Sequence, residues 1–350
     1  MSNIRIINIH RFALQPLLWL KHIYLLLLIT LVGACQKPEP GPATLSQMPQ
    51  YNLEDGARFQ GSVLDSGILS GYGRYTWETG DEYEGYWENH KMSGQGELVR
   101  ANGDHYKGGW SEGLFHGQGV YTFASGTLYE GAFQGGVKQG SGVYRWQDGK
   151  VYEGEFANNL PNGPGQLTLV DGNQLSGEFK DGFLSGQGTL SWPNGESYEG
   201  EFLKGLPEGK GTYQWPDGRI YEGDFKAGLR WGKGKETWPT GERYWGEYWE
   251  DKPHGEGTLT WPEGHQYQGT FKKGFKDGHG DYLWADGRRY VGEFKADEMH
   301  GRGSFQWANG SRYQGEFKEG QMHGKGLCTA QGGQTVDCEY RQGELKSPNL

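Results

Sequence analysis

Tyr83-Glu84-Gly85-Tyr86-Trp87 sets a pattern that returns every 23 residues without an insertion, beginning at Tyr83, Tyr106, Tyr129, Tyr152, Leu175, Tyr198, Tyr221, Tyr244, Tyr267, Tyr290 and Tyr313. Counted from that residue, position three is Gly in all eleven copies and position five is Trp, Phe or Tyr. A Gly-x-Gly follows at positions twelve to fourteen, as in Gly94-Gln95-Gly96 and Gly324-Lys325-Gly326, and a further Gly stands at position 21. A looser copy starts near Phe59-Gln60-Gly61, and a half copy, Val336 to Tyr340, ends the series. A fixed metre of this length marks a repeat architecture, in which each unit buries its apolar face against its neighbours.

The unit reads as a β-hairpin. Tyr83, Gly85 and Trp87 alternate with Glu84 and Tyr86, a period of two. Position eight is Gly in seven copies and otherwise His90, Asn159, Asp251 or Asp297. All are residues that tolerate a left-handed backbone, which predicts a turn there. A second turn is signalled by Asn-Gly or Asp-Gly (Asn102-Gly103, Asn194-Gly195, Asp217-Gly218, Asp286-Gly287), with Pro193, Pro216, Pro239 and Pro262 just before it. Two turns per unit mean two strands, which removes leucine-rich and parallel β-helix alternatives. The expected fold is all-β: an elongated, twisted, single-layer antiparallel sheet of about twelve hairpins over residues 58–345, with a short tail at 346–350. At ~9.6 Å per hairpin it would run on the order of 100 Å.

Centring the second turn on its Gly predicts a register. Trp192, Trp215, Trp238, Trp261, Trp284 and Trp307 would face Tyr198, Tyr221, Tyr244, Tyr267, Tyr290 and Tyr313. Leu98, Tyr144, Tyr213 and Phe305 would cover Gly108, Gly154, Gly223 and Gly315, shielding bare backbone. The same register sets Cys328 opposite Cys338, which would join as a disulfide in an oxidising compartment. Two free thiols or a metal pair are the alternatives.

The pattern Y-x-G-x-F-x-x-G-x-x-x-G-x-G, followed by a Trp-Pro-Asn-Gly-like turn, resembles the MORN repeat (membrane occupation and recognition nexus) over residues ~59 to 345. The resemblance implies hairpins laid side by side and a role as a scaffold or interaction platform. MORN repeats also occur in plant phosphoinositide kinases, but this chain leaves no room for a kinase domain.

Ahead of the repeats, Arg5, Arg11 and Lys21 precede the apolar run Ile23 to Ala34, which suits the hydrophobic region of a secretion signal over residues 1–34. Val32-Gly33-Ala34-Cys35 resembles the lipobox of bacterial lipoproteins. That resemblance implies a lipid on Cys35 and, with Gln36 following rather than Asp, sorting to the outer membrane facing the periplasm. An uncleaved inner-membrane signal anchor, with the body still outside the cytoplasm, is the alternative. Residues 35–57, with Pro38, Pro40, Pro42 and Pro49, read as a tether.

Composition narrows the function. The chain carries 63 Gly, 14 Trp, 21 Tyr and 15 Phe, so aromatic rings stand in for an aliphatic core. Its net charge of −10 disfavours nucleic acid and anionic lipid, whose phosphates need clustered Lys or Arg. His254, Asp277, His300 and His323 form a column ahead of Gly-x-Gly, yet same-phase residues of adjacent hairpins stand ~9.6 Å apart, too far to converge on a metal or a proton. No helix follows the Gly-x-Gly pairs and no Gly-x-Ser-x-Gly turn is present, so neither a dinucleotide site nor a nucleophile elbow is expected. No cofactor and no metal site is expected. The acids at position four (Glu155, Glu178, Glu201, Asp224, Glu247, Glu293, Glu316) read as a solvated face. The expectation is a non-catalytic, envelope-anchored platform for unidentified protein partners. The alternative is a module binding glycan, peptidoglycan above all, through exposed aromatic rings; mutual burial of those rings would favour the platform.

Overall fold

The computed structural model describes residues 45–348, and the secretion signal and Cys35 lie outside the described residues. The described chain forms one antiparallel sheet of 27 strands, from β1 (Gln50–Asn52) to β27 (Glu344–Pro348). Each strand pairs with the next in sequence, as β14 (Ser197–Leu203) does with β15 (Leu206–Gln214) and β15 with β16 (Ile220–Lys226). β1 pairs with β2 (Arg58–Val63), so residues 50–52, expected in the tether, belong to the sheet. At the other end residues 346–348, expected as tail, complete β27, which pairs with Cys338 to Arg341.

The two turns of each unit differ in kind. Leu203 faces Leu206 across a two-residue turn in which Lys204 (φ 52°) and Gly205 (φ 81°) are both left-handed. A turn of that type matches the right-handed twist of the flanking strands. Position seven therefore takes positive φ as well as position eight, even where it is Glu112, Ala227 or Lys273. Residue type marks only position eight as left-handed. A left-handed conformation costs a non-Gly residue roughly 1–2 kcal/mol, which hairpin packing must offset.

The second turn is a three-residue loop. The Gly195 amide donates to the Trp192 carbonyl (3.0 Å) and the Trp192 amide to the Glu196 carbonyl (3.0 Å). Gly195 alone is left-handed (φ 91°), while Pro193 and Asn194 keep negative φ. This is a type I turn closed by a bulge Gly, with Pro193 at the position where its fixed φ fits. Asn194 adds an Asx bond, its Oδ1 accepting from the Glu196 amide (3.0 Å).

The loop is thus centred on Asn194 and not on Gly195, which corrects the expected register by two residues. Tyr198, Tyr221, Tyr244, Tyr267, Tyr290 and Tyr313 face Leu190, Tyr213, Glu236, Leu259, Tyr282 and Phe305. Trp192, Trp215, Trp238, Trp261, Trp284 and Trp307 stand at the mouths of the loops instead, packed half-buried against the core. Leu98, Tyr144, Tyr213 and Phe305 face Tyr106, Tyr152, Tyr221 and Tyr313; the glycines expected beneath them pair with other glycines. Cys328 faces Val336 and Cys338 faces Gly326, so the two cysteines are diagonal neighbours. They are joined as a disulfide all the same, with Cα atoms 5.9 Å apart. A two-residue shift keeps every side chain on its own face, which is why the partition of residues survives.

Candidate docking surface

One face of the sheet is closed by its own rings. Tyr198 is 1 % exposed and Tyr221 0 %. The Tyr198 ring meets Phe202 of its own unit edge-on (5.1 Å, 84°) and Phe225 of the next (4.8 Å, 76°). The motif repeats from Tyr221 to Tyr290, each Tyr wedged between two position-five rings. Edge-to-face pairs contribute about 0.5–1.5 kcal/mol beyond buried area. Each ring is also pinned by its hydroxyl, as where Tyr198 donates to the Glu201 carbonyl (2.9 Å). Burial, with Glu155 and Glu178 nearby, pushes the Tyr152 phenol up to about 12, so it stays protonated at neutral pH. Leu175, the one departure, leaves a ring's space; Leu184 fills it, 1 % exposed, lying over Gly177 and Gly188.

Three units carry a cation on this face at position ten. Lys138 Nζ sits over the rings of Tyr144 (4.4 Å), Tyr129 (5.3 Å) and Phe123 (5.7 Å), and burial pulls its pKa down to about 8. Arg230 lies over Trp215, Tyr221 and Tyr248 and pairs with the buried Glu236 (2.8 Å) and with Asp251 (3.3 Å). Lys276 lies over Tyr282 (5.2 Å) with Asp297 at 3.9 Å. Here position eight of the next unit is Asn159, Asp251 or Asp297 in place of Gly, and each accepts the position-ten amide (2.9 Å). Where position ten is Pro161, Pro207 or Pro253 there is no amide to accept, and position eight of the next unit is Gly182, Gly228 or Gly274.

The other face is open and polar. The acids at position four are more than the solvated face that the sequence predicts, because several support the backbone. Glu201, Asp224 and Glu293 accept the amides of Lys210 (3.3 Å), Lys233 (2.9 Å) and Arg302 (3.1 Å), and they lie over the first Gly of Gly-x-Gly. Cross-strand ion pairs such as Lys235–Glu222 (3.1 Å) and Lys210–Asp224 (2.5 Å) also lie on this face. His254, His300 and His323 face Glu247, Glu293 and Glu316 of their own hairpins. Among the described residues no three His, Cys, Asp or Glu side chains gather closely enough to hold a metal ion.

The open face also carries rings that the sequence reading did not single out. Trp245 is 65 % exposed and Trp249 50 %, and the Trp249 ring leans against Trp231 at a tilt of 37° with centroids 4.1 Å apart. Their positions in the repeat (two, six and eleven) were the available signal, because the even ones fall on the face opposite the tyrosines by the strand period.

Solved structures align with the chain only at low TM-scores. The TCP domain of SAS-4 (dCPAP) from Drosophila melanogaster, solved with a proline-rich motif of Ana2, aligns with 55 % of this chain and 99 % of its own at 11 % identity and a TM-score of 0.30. The wild-type TCP10 domain of Danio rerio CPAP covers 77 % of this chain and 94 % of its own at 10 % identity, TM-score 0.18. Virginiamycin B lyase from Staphylococcus aureus covers 80 % and 98 % at 9 % identity, TM-score 0.13. Likenesses this slight say nothing of what this chain binds. No curated protein matches it. The family model of the MORN repeat matches twelve segments: 66–82, 83–105, 106–128, 129–151, 152–174, 176–197, 198–218, 221–243, 244–266, 267–288, 290–312 and 313–335. These matches cover well over half of the 350 residues, and the chain belongs to the MORN repeat family.

Proposed function

We propose that this protein is a non-catalytic docking platform of the bacterial cell envelope, anchored by a lipid on Cys35 and held off the membrane by the proline-rich segment after it. The observation that carries this reading is the division of labour between the faces. The Tyr and Phe columns are buried against one another, and the opposite face carries polar side chains that are exposed or partly exposed. The MORN repeats support it, since a stack of hairpins offers surface in proportion to its length. So does the spacing of the polar groups: Lys210–Asp224 and Lys235–Glu222 pair across strands, and among the described residues no three His, Cys, Asp or Glu gather at one point. Protein partners are the primary expectation, and outer-membrane placement facing the periplasm follows from the lipobox-like Val32 to Cys35 and from Gln36.

Affinity capture from envelope extracts with the full chain tests the reading. A protein retained in stoichiometric amount, and lost when open-face residues are changed, supports it. Retention of nothing above a control lipoprotein overturns it. Metabolic labelling with a fatty acid tests the anchor: label on the native chain and none on Cys35→Ala is expected, and label persisting on the variant removes the anchor.

A further inference from the structure

We infer that the open face of β17 (Leu229–Thr237) and β18 (Arg243–Trp249) is a binding site for a neutral, β-linked polysaccharide chain, gripped between Trp245 on one side and the Trp231–Trp249 pair on the other. The inference rests on the reading of the array as a docking surface and commits one part of it to one ligand class.

An indole left in water forgoes the burial that stabilises a sheet face. Elsewhere in the array Trp is half-buried or buried; here two indoles stand at least half in water, on the same face of the same strand. Trp245, Glu247 and Trp249 alternate with the buried Tyr244 and Tyr248, so the two indoles lie four residues, ~13 Å, apart along the strand. Trp231 extends the second platform across the strands, with Lys226 Nζ 4.7 Å from its ring centroid. Between the platforms Lys233 faces Glu247, and Lys235 faces Trp245 while pairing with Glu222. On the side of Trp245 the face opens into a shallow trough of about 730 Å³, floored by the backbone of Gly211, Gly223 and Gly234.

Two aromatic platforms separated by a donor and an acceptor match a run of pyranose rings. The C–H face of a pyranose is apolar and lies against the electron-rich face of an indole, while its equatorial hydroxyls reach sideways to Lys and Glu. The charges between the platforms balance, which suits an uncharged polymer better than an anionic or a cationic one. An extended peptide is a poorer match: it gains affinity by adding to a sheet edge, whereas on a sheet face its amides and carbonyls find no ladder. A second copy of the chain would need roughly 1,000 Å² of complementary contact, far more than three indoles provide.

Isothermal titration of the full chain with hexamers of β-1,4-linked N-acetylglucosamine and of β-1,4-linked glucose tests the proposal. Saturable binding of at least one hexamer is expected, weakened at least tenfold by Trp245→Ala and likewise by Trp249→Ala. Both residues are exposed, and unchanged melting of the variants shows that the fold is kept. No binding of either hexamer by the native chain overturns the proposal, as does binding that the two variants leave intact. A native dimer that the variants convert to a monomer in sedimentation also overturns it, because the site would then be filled by a second copy. These outcomes are independent of protein capture, so the platform reading can stand where the glycan site falls, and the converse.

Discussion

The ring of Tyr198 lies flat over Gly211 on the neighbouring strand, so close that a Cβ at residue 211 would come within 2.4 Å of the phenol. The relationship recurs from Tyr83 over Gly96 to Tyr290 over Gly303, and it explains the second Gly of Gly-x-Gly: the backbone there is the floor on which the ring rests. Gly211→Ala should therefore destabilise the array by about 1–3 kcal/mol through overpacking. Tyr198→Leu in the same chain should recover part of that loss, since Leu175 and Leu184 show that a smaller apolar group suits a bare strand. Urea unfolding of the single and double variants measures both. Additive losses would mean that the ring and the glycine are not coupled.

Arg230, Glu236 and Asp251 form a unit that other repeats replace as a set. The preceding repeat has Pro207, Tyr213 and Gly228 at the matching positions. Glu236 is 4 % exposed and accepts from both Arg230 (2.8 Å) and Tyr248 (2.9 Å). Removing one member of a buried pair leaves the other uncompensated, typically at 3–5 kcal/mol. Glu236→Tyr alone should fall toward that range. The triple change Arg230→Pro, Glu236→Tyr, Asp251→Gly should return most of the lost stability, because it installs a set the fold already uses. Thermal unfolding of the two chains decides; a triple variant no better than the single one would refute the coupling.

How far the sequence could be read follows from these cases. The strand period assigned Tyr198, Gly200 and Phe202 to one face and Glu199 and Glu201 to the other, and a face depends only on parity. Register depends on where the turn is centred, and a centre on Gly195 in place of Asn194, one residue along, shifts every pair by two. The distinguishing mark was Pro193, which favours the first inner position of a type I turn and so makes Asn194 the middle of the loop. Cys328 and Cys338 were matched despite the slip because diagonal neighbours also lie within disulfide reach, here 5.9 Å between Cα atoms. The half-buried Trp231 and the exposed Trp245 and Trp249 are not legible from the invariant columns, because a binding patch on a repeat array is an exception to its column.

Among the described residues the disulfide closes the last full hairpin, after which β27 continues the sheet. By the loop-closure relation, a bridge with a sequence separation of 10 is worth about 2–3 kcal/mol. Because each unit contacts only its neighbours, the loss on reduction should stay near the C-terminal edge. Hydrogen exchange with and without reductant should show faster exchange from about Gln321 onward and little change near Tyr198. Uniform acceleration along the array would show that the sheet unfolds as one body.

Lys138 supplies the pH-dependent term. Burial holds its pKa at about 8, below the usual 10.5, so the folded chain releases this proton before the unfolded one does. The sign follows from linkage. Between about 8 and 10.5 the unfolded state binds more protons, and the Lys138 contribution to stability grows as pH rises through that window. Below it the contribution is a constant penalty, softened by the rings of Tyr129 and Tyr144 around the ammonium. The buried phenols act oppositely, since their raised pKa values make the fold lose stability once unfolded tyrosine ionises near 10. Subtraction separates the two. Lys138→Met places there the residue that other units carry at the same position, Met92, Met299 and Met322. The stability of the native chain minus that of the variant should climb from pH 8 to 10.5 and level off above. A difference independent of pH would show that the Lys138 amine is solvated and not buried among the rings.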